Sequence, residues 1–226
     1  MNICVTGGAG FIGSHLVDRL IELGHDVLVI DNLSTGMRSF VHEDAQFIEM
    51  DVRDPKLLSV FEEFKPSIVF HEAAQTMVQS SMENPSYDCD VNLIGLINVL
   101  DACRKVNVEQ FLMPSSAAVY GDLAVLPLTE DLSGMPSSFY GLTKLTAEGY
   151  LRIYHEAFGL NTVCFRYANV YGPRQGDGGE GGVISIFNRL IVEGQPLTVF
   201  GDGEQTRDFI YVDDVVDANI KAMGNG

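Results

Sequence analysis

The stretch "SFYGLTK", residues 138–144, sets a phenol and an amine four positions apart, Tyr140 and Lys144. On a helix such a pair shares one face, about one turn apart. A cation about 6 Å from a phenol, at an effective dielectric of about 20, favours the phenolate by about 2.8 kcal/mol. The pair can therefore exchange a proton with a substrate hydroxyl near neutral pH, or it can be an incidental feature of an amphipathic surface. Ser115 and Ser116, in "MPSSAAVYG" at 113–121, close a strand-like run and can offer hydroxyls beside the phenol. A serine-rich turn at a strand end would look the same.

A second group of residues could hold an anion. "VTGGAGFIGSHL" carries Gly7, Gly10 and Gly13 at three-residue intervals, with Phe11 and Ile12 between the last two; Gly8, Gly10 and Gly13 also fit G-x-G-x-x-G. Glycines there let the turn close, let backbone approach a pyrophosphate and let helix pack on strand, while the helix N-terminus supplies amide donors. The next strand-like run ends in "VLVIDN", so Asp31 and Asn32 lie about 20 residues beyond the glycines. An acid there accepts both hydroxyls of an adenosine ribose and repels a 2′-phosphate, so NAD is the expected cofactor rather than NADP. "MDVRD" puts Asp51 and Val52 at the end of a third strand, within reach of an adenine, while Asp54 before Pro55 reads equally well as a helix cap.

Such residues need a frame that brings them together. Short apolar runs ("NICVTG", "DVLVID", "QFIEMD", "SIVFHEA", "QFLMPSS", "NTVCFRYANV", "LTVFG") alternate with helical patterns at 11–23, 55–64, 86–105, 138–158 and 183–193. That alternation predicts an α/β fold with a doubly wound parallel sheet, and most of the polar clusters fall just after a strand, where ligands of such sheets bind. "YGPRQGDGGEGG", 171–182, cannot sustain helix or strand and is expected to be a loop bordering the site.

The whole chain has 226 residues, 46% of them hydrophobic and 20% charged, enough for one domain with a small appendage. No apolar run reaches the roughly 18 residues of a membrane span. The net charge of −17 repels phosphodiester backbones and anionic lipid, which argues against nucleic acid or membrane as partner. A small phosphate-bearing molecule can still be held by helix N-termini and a few arginines. "MNICV" lacks the basic and apolar regions of a signal peptide, so a cytoplasmic location is expected. Cys4, Cys89, Cys103 and Cys164 stand singly in apolar stretches; reduced core cysteines and no metal site are expected.

TGGAGFIG, Asp31, the serine run, Tyr140-x-x-x-Lys144, "RYANVYGPRQ" at 166–175 and "GDGEQTRDFIYVDD" at 201–214 together resemble the extended short-chain dehydrogenase/reductases. The resemblance spans the chain and is strongest to the NAD-dependent UDP-glucose 4-epimerase branch of the epimerase/dehydratases. It implies a Rossmann-like NAD domain at 1–166 and a partial nucleotide-sugar lobe at 167–226, interleaved with the last strands and incomplete at its C-terminal end. It implies that Tyr140 takes the proton of a sugar 4-hydroxyl, that Lys144 bonds the nicotinamide ribose, and that Ser116, with Ser115 beside it, bonds the 4-oxygen.

By the same resemblance, Ala73, Ala74 and Gln75 of "HEAAQ" lie along NAD, although Glu72 stands where an apolar residue is usual. Asn92, Tyr167 and Val170 also belong to the cofactor side, and Asn169 and Arg207 to a UDP-hexose. The 4,6-dehydratase relatives are expected to carry Asp-Glu where this chain has Ala117-Ala118, and alanine can do no acid or base work. A homodimer through the helices near 86–105 and 140–158 is implied as well. Two other readings stay open: an idle NAD-binding sensor, and a net dehydrogenase or reductase.

Overall fold

The computed structural model describes residues 1–176 and 182–225. The chain runs β1 (Asn2–Thr6), α1 (Phe11–Glu22), β2 (Asp26–Asp31), β3 (Gln46–Glu49), α2 (Leu57–Phe64), β4 (Ile68–His71), α3 (Val78–Glu83), α4 (Pro85–Cys89) and α5 (Leu96–Val106). It continues with β5 (Gln110–Ser116), α6 (Phe139–Phe158), β6 (Asn161–Tyr167), β7 (Asn169–Tyr171), α7 (Val183–Val192), β8 (Phe209–Tyr211) and α8 (Val212–Ala222). Six strands form one parallel sheet in the order β3-β2-β1-β4-β5-β6. The order reverses between β1 and β4, which opens a crevice at their carboxyl ends.

Helices cover both faces, so the central strands are apolar on both sides and alternate residues feed two cores. Cys4, Leu28, Ile30 and Phe111 face Phe61, Leu96, Leu100 and Leu151. Ile3, Val5, Val29 and Leu112 face Leu16, Val17 and Leu20, together with Val216. α8 thus packs on α1 in the main sheet's core. Each fully buried Leu or Phe contributes roughly 1.5–3 kcal/mol, which holds the strand ends, and the polar residues on them, in register.

Four expectations need correction. "NTVCFRYANV" is not one strand: β6 follows β5 as far as the Ser116–Tyr167 pair, and past Ala168 the chain leaves to pair as β7 with β8 in a separate parallel two-stranded sheet. "LTVFG" at 197–201 forms no strand, because among the described residues no neighbouring strand supplies its hydrogen bonds; Leu197, Val199 and Phe200 are exposed. The helix expected at 86–105 starts at Pro85, capped by Asn84, and a π turn over Asp90–Gly95 separates α4 from α5. Cys4 and Cys103 are buried, but Cys89 and Cys164 are exposed. Of the glycine-rich loop, residues 177–181 lie outside the described residues. No described helix is long and apolar enough to cross a membrane.

Candidate functional site

At the end of β1 the chain turns at Gly7, whose φ of +74° is in the left-handed region; a Cβ there would lie 2.5 Å from the Ala73 amide nitrogen. That close approach locks the β1 turn against the segment leaving β4. Gly13 meets the Gly7 carbonyl so closely that any side chain would displace the turn. α1 then starts after Gly10 with no side-chain cap and no acid in its first turn, so its leading N–H groups remain open to an anion. Phe11 and Ile12 are half-buried at this start.

Asp31 is buried at the end of β2. Its Oδ2 accepts from Ala9 N at 3.0 Å and its Oδ1 from Leu33 N at 2.8 Å. Each carboxylate oxygen keeps a further lone pair, which is the acceptor capacity that two ribose hydroxyls require. The uncapped helix, the glycine cradle and this acid fit the diphosphate and adenosine ribose of NAD. Asn32 donates to Asp51 Oδ2 at 2.8 Å. Asp51 itself is clamped by Arg53 through Nε (2.8 Å) and Nη2 (2.7 Å), and those hydrogen bonds hold its carboxyl well below the usual carboxylate range. Val52 is buried, with Gly95 of the π turn packed against it.

Asn92 lies in the π turn, and its side chain reaches back to the segment after β4. It accepts from Gln75 N at 2.8 Å and donates to Gln75 O at 3.0 Å. It also donates to Asp88 and Thr143, while Thr143 Oγ1 donates to Asp88 Oδ2 at 2.9 Å and Gln75 Nε2 to Asp88 Oδ1 at 2.6 Å. Ala73, Ala74 and Gln75 are thereby tied to α4 and α6. Asp88, the fully buried hub, has no place among the sequence-based candidates; its only signal was an acid four positions before Asn92 on one helix.

The proton-transfer end is built around α6, whose N-cap Ser138 accepts from Gly141 N. Gly141 sits against the turn that follows β5: a Cβ there would lie 2.5 Å from the Ala118 carbonyl oxygen. Only a residue without a side chain lets the start of α6 close on the turn after Ser116, whose Oγ accepts from Ala118 N at 3.1 Å. Tyr140 N donates to the buried Ser81 hydroxyl. Lys144 is buried, donates to Pro114 O at 3.0 Å, and holds Nζ 5.9 Å from the Tyr140 ring centre.

The Ser115 hydroxyl donates to Glu148 Oε1 at 2.6 Å, and Glu148, two turns along α6 from Tyr140, is gripped by Arg166 at 3.0 and 2.8 Å. Farther out, Tyr167 Oη accepts from Asn219 Nδ2 at 2.5 Å, and burial pushes its phenol up. Val170 pairs with Ile210, and Asn169 Nδ2 donates to Asp208 O at 2.9 Å; Arg207 is exposed on the approach to β8 and donates to Thr206 O.

A switch-point crevice with a glycine cradle, an acid on the second strand and a tyrosine–lysine helix defines a dinucleotide-binding α/β protein of the Rossmann type. Comparison with known proteins narrows that class. The model of the NAD dependent epimerase/dehydratase family matches residues 3–226. A UDP-glucose 4-epimerase of Mycolicibacterium smegmatis is 41% identical over 230 residues, covering 99% of this chain and 74% of that protein. The crystal structure of Thermotoga maritima UDP-glucose 4-epimerase with UDP-glucose superposes with a TM-score of 0.98 at 44% identity, covering 100% of this chain and 74% of that one. The Thermus thermophilus UDP-glucose 4-epimerase complex with NAD gives 0.94 at 42%, covering 98% and 74%. The chain belongs to the NAD-dependent epimerase/dehydratase family, and it is an NAD-dependent enzyme.

Proposed function

We propose that this enzyme interconverts UDP-glucose and UDP-galactose by inverting C4 of the hexose. The carrying observation is the Tyr140–Lys144 pair, pressed by Gly141 against the Ser116 turn at the same sheet end as the glycine cradle. Bound NAD would supply a hydride acceptor that can also return the hydride. Tyr140 accepts the proton of the 4-hydroxyl and later gives it back, while Ser116 Oγ bonds the same oxygen and keeps it in line. Lys144 holds its ammonium 5.9 Å from the Tyr140 ring centre and has further N–H donors for the nicotinamide ribose. Ala117 and Ala118 put no acid or base beside C5 or C6, which supports simple inversion over elimination.

The cofactor side comprises Gly7, Gly10, Phe11, Ile12, Gly13, Asp31, Asn32, the Asp51–Val52 strand end, Ala73 to Gln75, Asn92, Tyr167 and Val170. Asn92 acts there through Gln75, and Asp51 through Asn32. Asn169 and Arg207, near the β7–β8 pair, belong to the sugar-nucleotide side, within a lobe of residues 167–226 that shares α8 with the NAD domain. A homodimer is supported by an apolar groove between the α4–α5 helix and α6, lined by Pro85, Cys89, Leu93, Ile94, Phe139 and Leu142. A cytoplasmic location agrees with the cofactor.

The test is incubation with UDP-galactose and analysis of the sugar released from the product. Conversion to UDP-glucose with the cofactor recovered oxidised is expected, and Tyr140→Phe should keep NAD binding and lose turnover. Absence of conversion by NAD-loaded protein would refute the assignment.

A further inference from the structure

Glu72 follows β4 directly and its main chain packs on the Gly7 turn, within the segment that leads to the cofactor side. Its Oε1 is buried and has no hydrogen-bond partner. Buried polar atoms are almost always paired, so an acceptor left over in a binding crevice is one kept for something that enters. The titratable groups facing it come from three elements. On β4 itself, His71 is bonded to Thr6 Oγ1 at 2.8 Å, and burial lowers it to about 3, so it is neutral. On β6, Tyr167 is neutral because burial pushes its phenol up. On α6, Lys144 is the cation, with one N–H donated to Pro114 O. β1 contributes Thr6 and Gly7, without charge. Burial raises the Glu72 carboxyl to about 7, with Lys144 opposing that rise.

We propose that Glu72 is a proton-linked group of the NAD site that loses its proton when oxidised NAD binds and keeps it when reduced NAD binds. This rests on the assignment of the Gly7 turn, Lys144 and Tyr167 to one cofactor site. The oxidised nicotinamide ring carries a positive charge and the reduced ring is neutral. A buried carboxyl facing one nearby cation gains from a second, so the oxidised form draws Glu72 to its anion and the reduced form does not. By linkage, the Glu72 anion must favour oxidised over reduced cofactor by the same factor. That bias would help return the hydride to the sugar only while Glu72 is ionised, which ties the balance of the cycle to pH.

The test is calorimetry on the full chain freed of cofactor, titrated at pH 7 with NAD and with NADH in two buffers of different ionisation heat. A group half-protonated at pH 7 should release up to about half a proton per NAD bound and close to none per NADH. Glu72→Gln should abolish the difference, and Glu72→Asp should keep part of it. In the unmodified chain, the ratio of NAD to NADH affinity should rise at least about threefold from pH 6 to pH 8. A flat ratio, or a proton count unchanged in Glu72→Gln, overturns the proposal while leaving the NAD site intact. Failure of the unmodified chain to bind NAD overturns the site and the proposal together.

Discussion

Asn92→Ala tests whether the segment after β4 is held from behind. Asn92 is 6% exposed, and its side-chain bonds at 2.8 and 3.0 Å go to the main-chain N–H and C=O of Gln75. Alanine removes both, and also strips a donor from Asp88, which is fully buried. An orphaned buried polar group costs about 1–3 kcal/mol. Gln75 is only half-buried, so its two groups are taken near the lower bound; with the loss at Asp88 the sum is about 3 kcal/mol. For a chain of this size that lowers Tm by roughly 6–12 °C. Denaturant unfolding at pH 7 reads the stability directly, and calorimetric titration with NAD reads the second consequence, weaker binding as Ala73 to Gln75 lose their anchor. A stability loss below about 1 kcal/mol would refute the reasoning, because Gln75 would then be finding other partners at no cost. Full stability with NAD affinity lost would instead make Asn92 a direct ligand.

Gly141→Ala should cut turnover by about 100-fold or more while NAD still binds, since a Cβ 2.5 Å from Ala118 O must push Tyr140 away from the Ser116 turn; steady-state kinetics beside NAD titration separates the two effects. Unaltered turnover would show that the helix start can yield. Glu148→Gln should cost about 2 kcal/mol, less than a deeply buried pair because both partners are 19% exposed. Burial pushes the Glu148 carboxyl up, but hydrogen bonds from Arg166 and Ser115 outweigh it and leave it below its ordinary value. A lowered acid contributes stability above its unfolded value, about 4.3, and loses it as pH falls through the folded value, so the gap between the two proteins should close towards pH 3. Melting curves from pH 7 to pH 3 check this, and a gap independent of pH would contradict it.

The sequence by itself determined whatever lies within one element or one turn. Alternating apolar runs dictated a doubly wound sheet, because strands covered on both faces read as continuous apolar segments. The three glycines and Asp31 announced a dinucleotide turn, and Tyr140 with Lys144 announced a shared helix face, because a four-residue spacing already fixes their distance. Only the tertiary structure decided which partners those residues meet across elements. Two adjacent serines look alike in sequence, yet one caps the turn after β5 and the other donates to Glu148, because successive side chains on a strand point to opposite faces. The run ending in "RYANV" breaks because the main sheet ends at Tyr167, and its last residues find a strand about 40 residues away in the chain. Glu72 gives no hint of its state in "HEAAQ". Its unpaired oxygen and its neighbours exist only once β1, β4, β6 and α6 converge, since burial and field are properties of the assembled site and not of the residue.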